Sequence, residues 1–169
     1  ICANAIKVSD ASLDLDLFRL NLGSGGYRGA TTASATVTYR DGVTLGAWGD
    51  WSDAVVPSVS TVVEGPFAFD TKDCFDGETT RDISLANVNL KDATELSARG
   101  GGSVGLATAK LNKILPFVNE FHTLKVAADT TLELKGLAPQ LKAMNLKLGA
   151  NAMLKVDLSD GGYVDAAAI

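Results

Sequence analysis

The chain has 169 residues, a length that suits one domain with a core of its own. Hydrophobic residues make up 46% and charged residues 21%, which excludes a disordered chain. Lys plus Arg is 15 against 20 for Asp plus Glu, a net charge of −5 with no basic run. That balance excludes a nucleic-acid surface, where clustered cations must neutralise phosphates.

No apolar run approaches the roughly 20 residues needed to cross a bilayer, so no membrane span is expected. The sequence opens on Ile1 rather than Met. We read this as the trace of a removed export signal, which places the protein outside the cytoplasm.

Cys2 and Cys74 are the two cysteines, and an even count in an exported chain predicts one disulfide. In the loop-entropy picture a bridge of this span contributes about 4 kcal/mol. No CxxC motif and no Cys/His cluster occurs, so a zinc site is not expected.

In chain order, the first element is Val8 to Leu22. Leu13, Leu15 and Leu17 alternate with Asp14 and Asp16, and Leu20 and Leu22 flank Asn21. Alternation turns every second side chain to one face of a strand, here a leucine face and an aspartate face. Gly23-Ser24-Gly25-Gly26 then reads as a flexible turn. It lacks the third glycine and the following helix of a dinucleotide-binding loop.

Ala33, Ala35, Val37 and Tyr39 alternate with Ser34, Thr36 and Thr38. Asp41-Gly42 then separates this run from Val43 to Trp48. Asp-Gly between two alternating runs predicts an antiparallel hairpin. Trp48 and Trp51 follow in a glycine-bearing polar stretch, where they form a candidate sugar-stacking platform or cap a core.

Val55 to Val63 predicts a strand starting after Pro57, because proline cannot donate to a ladder. The acidic loop Asp70 to Asp82 carries Asp70, Asp73, Asp76 and Glu78, oxygen ligands of the kind Ca²⁺ takes, although without EF-hand spacing. Ile83, Leu85, Val88 and Leu90 slip phase at Ala86-Asn87, which predicts a β-bulge. Leu111, Leu115, Val118 and Phe121, with Ile114 beside them, fit a helical stripe, so one short helix is drawn near 108–122.

After His122 the alternation returns through Leu124 and Val126, Leu132 and Leu134, Met144 to Leu148, and Leu154 to Leu158. Gly101-Gly102-Ser103-Val104-Gly105 matches G-x-S-x-G, but no strand–turn–helix context or later acid-then-histidine order accompanies it. His122 is the only histidine. No catalytic residue, no cofactor and no enzymatic activity is assigned.

Eight or more alternating segments joined by Gly/Asp/Pro turns predict a mainly β, antiparallel β-sandwich, jelly-roll or Ig-like, as a single domain over 1–169. A terminal leucine-faced strand on such a body resembles the donor-strand pilins and β-sandwich fibre subunits of biofilms.

That resemblance implies an extracellular filament subunit that polymerises with copies of itself. Residues 1–22 would be the donor strand, and Leu13, Leu15, Leu17, Leu20 and Leu22 the inserted side chains. Cys2 would bridge to Cys74 within a subunit or across to a neighbour. Two alternatives stand beside it. One is a viral tail-tube or capsid protein. The other is a carbohydrate-binding module that would take surface glycans on Trp48 and Trp51.

Overall fold

The computed structural model describes residues 1–8, 12–29, 35–52, 59–108, 118–135, 140–156 and 163–166. All of its regular structure is β. In order the strands are β1 (Cys2–Val8), β2 (Ser12–Leu15), β3 (Arg19–Gly29), β4 (Ala35–Tyr39), β5 (Thr44–Trp48), β6 (Trp51–Ser52) and β7 (Val59–Asp73). They continue with β8 (Ile83–Arg99), β9 (Ser103–Thr108), β10 (Val118–Val126), β11 (Thr131–Lys135), β12 (Gln140–Leu148), β13 (Met153–Val156) and β14 (Tyr163–Ala166).

Every ladder between named strands is parallel. The fold is therefore a parallel β-solenoid and not an antiparallel sandwich. One sheet stacks β1-β3-β5-β7-β8-β10-β12-β14. A second stacks β2, β4 and the start of β7. A third stacks β6, the start of β8, β9, β11 and β13.

The coil can be followed along one inward position of the first sheet. Leu20 pairs with Leu45, Leu45 with Phe69, Phe69 with Ala98, Ala98 with Val126, and Val126 with Leu148. The chain thus returns to the same place after 25, 24, 29, 28 and 22 residues. Parallel neighbours need a long crossover between them. Here each circuit of the solenoid is that crossover.

This architecture corrects several expectations. The hairpin at Asp41-Gly42 is a corner: β4 pairs with β2 and β7, and β5 with β3 and β7, never with each other. Gly42 takes a φ of 82° and turns the chain from one sheet into the next. Of the span drawn as a helix near 108–122, Thr108 belongs to β9 and residues 118–122 to β10, both extended, and 109–117 lie outside the described residues. The turn at 23–26 is extended and belongs to β3, pairing with β1. The expected bulge is present, because the β8–β9 register shifts between Leu85 and Val88.

Alternation drives the fold once the pairing is parallel. Leu22, Leu45, Phe69, Leu96, Leu124, Leu106 and Leu132 point inward and are fully buried, each lying against the same ladder position one coil away. Full burial of such a side chain is worth about 1.5–3 kcal/mol. Tyr39, Phe67 and Phe69 pack edge to face, with centroids 5.5 and 5.0 Å apart, and fill the space inside one corner.

The corners satisfy their own polar groups. Buried Thr71 accepts from Gly102 N at 2.9 Å and donates to the Arg99 carbonyl at 3.0 Å. Buried Thr130, two coils on, holds the same corner from the other side, accepting from Gly101 N at 3.0 Å and donating to the Ala128 carbonyl at 3.1 Å. Asp50 accepts from Asp82 N at 2.9 Å, and Asp82 from Ser103 N at 3.0 Å, so each aspartate caps the start of the next strand of the third sheet.

Candidate functional site

Two features stand out: the rungs at the two ends of the solenoid, and a polar stack beside the N-terminal end.

At the N-terminal end, Leu13 pairs with Val37 and Leu15 with Tyr39. Val37 and Tyr39 are fully buried, whereas Leu13 and Leu15 are half-buried. At the other end, buried Leu132 and Leu134 pair with half-buried Leu154 and Val156. Val126 is fully buried, and its register partner Leu148 is 45% exposed. Inward positions thus keep their apolar side chains at both ends but have no covering rung there among the described residues. The backbones match this, since β1, β2, β13 and β14 each have a single pairing partner among the described residues.

The proposed donor strand is placed differently from expectation. Leu13 and Leu15 lie on β2 in the second sheet, and Leu20 and Leu22 on β3 in the first. The chain bends between them at 16–18, which carries Leu17 and leaves Phe18 86% exposed. Both pieces pair inside their own chain, with β4 and with β1 and β5. A donor strand is therefore ruled out, because one continuous strand over 8–22 does not exist.

The polar stack lies on the outer side of β3, β5, β7 and β8, where Asn21, Gly46, Asp70 and Arg99 follow one another in register. Arg19 reaches across it, donating from Nε to Asn21 Oδ1 at 2.7 Å and from Nη1 to Asp70 Oδ2 at 2.8 Å. Arg99 Nε donates to the same Asp70 oxygen at 3.2 Å, and Lys72 N to Asp70 Oδ1 at 3.2 Å.

Gly46 makes room for this crossing. A Cβ there would collide with Asn21 Oδ1 and lie 2.7 Å from an Arg19 nitrogen. Burial pushes the Asp70 carboxyl up, but Arg19, the Lys72 amide and Arg99 outweigh it and hold it below the ordinary carboxylate range.

The other acidic residues suggested for Ca²⁺ follow Asp70 along this corner, and the carboxylates of Asp73 and Asp76 are engaged within the chain. Asp73 accepts from Phe75 N at 2.9 Å and from Arg81 Nε at 2.9 Å. Asp76 accepts from the amides of Glu78 and Thr79 at 2.8 and 2.9 Å, and with the Thr79 hydroxyl these bonds lower its pKa to about 2. The Glu78 carbonyl accepts from Lys72 Nζ at 2.7 Å. Among the described residues no group of three His, Cys, Asp or Glu is placed to hold a metal ion.

Cys2 and Cys74 meet beside the stack, with their Sγ atoms 3.1 Å apart as thiols. Trp48 packs edge to face on exposed Phe75, centroids 5.0 Å apart. Trp51 stands on β6 beyond the Gly49-Asp50 corner, and its side chain lies outside the described residues. A shallow depression of about 280 Å³, lined by Gly42, Pro66, Ala68, Glu95, Ser97 and Lys125, sits at the opposite end of the same sheet face from Trp48.

Ser103 of the G-x-S-x-G match opens strand β9, with its amide on Asp82, and His122 lies on β10. Among the described residues no helix is long and apolar enough to cross a membrane.

Sequence reading missed the stack because its successive ladder members, Asn21, Gly46, Asp70 and Arg99, are 24 to 29 residues apart. Only the register of the solenoid brings them together. No family model matches this chain, no curated protein matches its sequence, and no solved structure matches its fold.

Proposed function

We propose that this chain is a structural protein of an extracellular filament, a β-solenoid that stacks end to end with copies of itself. The observation that carries this reading is the presence of apolar, half-covered rungs at both ends, Leu13 and Leu15 at one and Leu154, Val156 and Leu148 at the other. A strand with one free edge is a template for another strand. Two different ends meeting head to tail form a heterologous contact, which grows into an open filament if it does not close. Parallel stacking across the junction would lay a strand of the next copy over these half-covered inward side chains.

Electron microscopy and sedimentation over a concentration series test this. The wild-type chain is expected to form filaments or a ladder of oligomers. A variant carrying Leu13→Asp and Leu15→Asp, and another carrying Leu154→Asp and Val156→Asp, are each expected to stop growth. Mixed together, the two variants retain one good end each and are expected to give only one-to-one dimers. A wild-type protein that stays monomeric at every concentration overturns the proposal.

A further inference from the structure

We propose that Cys2 and Cys74 form an intramolecular disulfide that staples the first strand of the solenoid to the corner loop that follows β7, three rungs further on.

The two thiols are brought together by the register and not by local sequence. Cys2 pairs with Asn21 on β3, Asn21 pairs with Gly46 on β5, and Ala47 of β5 pairs with Asp73 at the end of β7. Cys74 follows directly, and its amide donates to the Ala47 carbonyl at 3.0 Å. A bond between the sulfurs would therefore reach from β1 across β3 and β5 to the 74–80 loop. Both sides are held in place: Asn21 N donates to the Ile1 carbonyl at 2.8 Å, and Gly77 N to the Asp73 carbonyl at 2.9 Å. The sulfurs are 3.1 Å apart, so closing the bond needs a movement of about 1 Å.

The chemistry is ordered as well. The Cys74 thiol hydrogen-bonds to Cys2 sulfur, and with the Asn21 side-chain amide at 3.4 Å and Arg19 nearby it lowers the Cys2 pKa. Cys74 is pushed up to about 11, by burial first and then by Cys2. Cys2 is therefore the attacking thiolate. With a small-molecule disulfide such as oxidised glutathione as the oxidant, Cys2 sulfur bonds to one glutathione sulfur and expels the other as a thiolate. The Cys74 thiol then loses its proton to that thiolate. Its sulfur attacks Cys2 sulfur and expels the second glutathione thiolate, which takes a proton from water. Two protein thiols become one disulfide, and one glutathione disulfide becomes two thiols.

The test equilibrates the full chain with oxidised glutathione, blocks free thiols with iodoacetamide, and measures the intact mass and the unreduced tryptic digest. The expected product is a monomer two hydrogens lighter than the reduced chain, with neither cysteine alkylated and peptides 1–7 and 73–81 joined. Cys2→Ser and Cys74→Ser are each expected to leave one alkylatable thiol or a glutathione adduct. Their thermal unfolding is expected to match that of the reduced wild type and to fall below the oxidised form, so a folding defect would show separately.

Wild-type protein with both cysteines still alkylated, or with a lasting glutathione adduct on Cys2, overturns the proposal. So does a bond found only between copies, which mixing isotopically light and heavy chains would reveal. None of these outcomes depends on whether the ends stack.

Discussion

The middle coils and the end rungs are built from the same residue types at the same ladder positions, yet they differ in burial. Leu132 is fully buried and Leu154, directly above it, is not; Val37 is fully buried and Leu13, directly below it, is not. Sequence pattern alone cannot produce that difference. In a solenoid the apolar face of each rung is covered by the rungs on either side, so burial is a property of position in the stack. The middle is where apolar side chains stabilise the fold most, and the ends are where the same side chains are left half-covered.

The strongest way to break this comparison is in the middle. Phe69 is fully buried between Leu45 and Ala98 and touches Phe67 edge to face. Phe69→Ala should cost about 3–5 kcal/mol in denaturant unfolding. Leu154→Ala, at an end, should cost about 1 kcal/mol, because it removes a side chain that was never fully dry. Equal losses at the two positions would show that the ends are covered in solution, and growth of the Leu154→Ala loss with protein concentration would show that another copy covers them.

Gly46→Ala comes next. Its added methyl must displace Asn21 and Arg19, whose side chains cross over it. A destabilisation of about 1–3 kcal/mol is expected by chemical denaturation. The same change at Gly105, whose nearest neighbour is Ser84 Oγ at 3.8 Å, should cost far less. That contrast separates the crowded polar stack from the open outer face of the third sheet.

How much of this could be seen in the sequence follows from the same geometry. The strands were legible, because Val37 and Tyr39, or Leu154 and Val156, alternate with polar residues as any half-buried strand does. Their pairing was not. Alternation looks the same whether the neighbour is antiparallel and four residues away or parallel and one coil away, and at Asp41-Gly42 the local turn signal pointed to the wrong partner. The coil itself was hidden because the chain returns to the same ladder position after anything from 19 to 32 residues, so no fixed period marks it.

One trace was present. Asp50-Trp51-Ser52 and Asp82-Ile83-Ser84 repeat a pattern of cap, apolar residue and serine, and the structure stacks Trp51 on Ile83 and Ser52 on Ser84. Of the candidate sites, the meeting of Cys2 and Cys74 was anticipated from their number alone. The stack of Arg19, Asn21, Asp70 and Arg99 was not, since only register assembles it.

Asp70 offers a pH-dependent test of how firmly that stack joins the N-terminal rung to the middle. Its pKa is lowered in the folded state. A carboxylate of this kind contributes stability that is present above the unfolded value, about 3.9, and is lost as the pH falls through the lower folded value. Asp70→Asn should therefore cost about 1–3 kcal/mol at neutral pH, where it leaves Arg19 and Arg99 without their shared acceptor. The gap between wild type and variant should close as the solution is acidified below that range. A gap that stays constant with pH would mean that the side chain acts by packing and not by charge.

The smallest effect is expected from the other ion-pair group, Arg40 with Asp14 and Glu64 at 2.7 and 2.8 Å. It resembles the Asp70 cluster on paper, since one charged group serves two partners and also links an end strand, β2, to the interior. The difference is water. Arg40, Asp14 and Glu64 are substantially exposed, and exposed pairs exchange good hydration for a contact of similar worth. Arg40→Ala should shift stability only slightly, and less still in high salt. If it instead proved as costly as Asp70→Asn, the pair would be desolvated in solution. Because Asp14 lies on β2, the first rung of the second sheet, a copy stacked on that end is the covering surface such a result would call for.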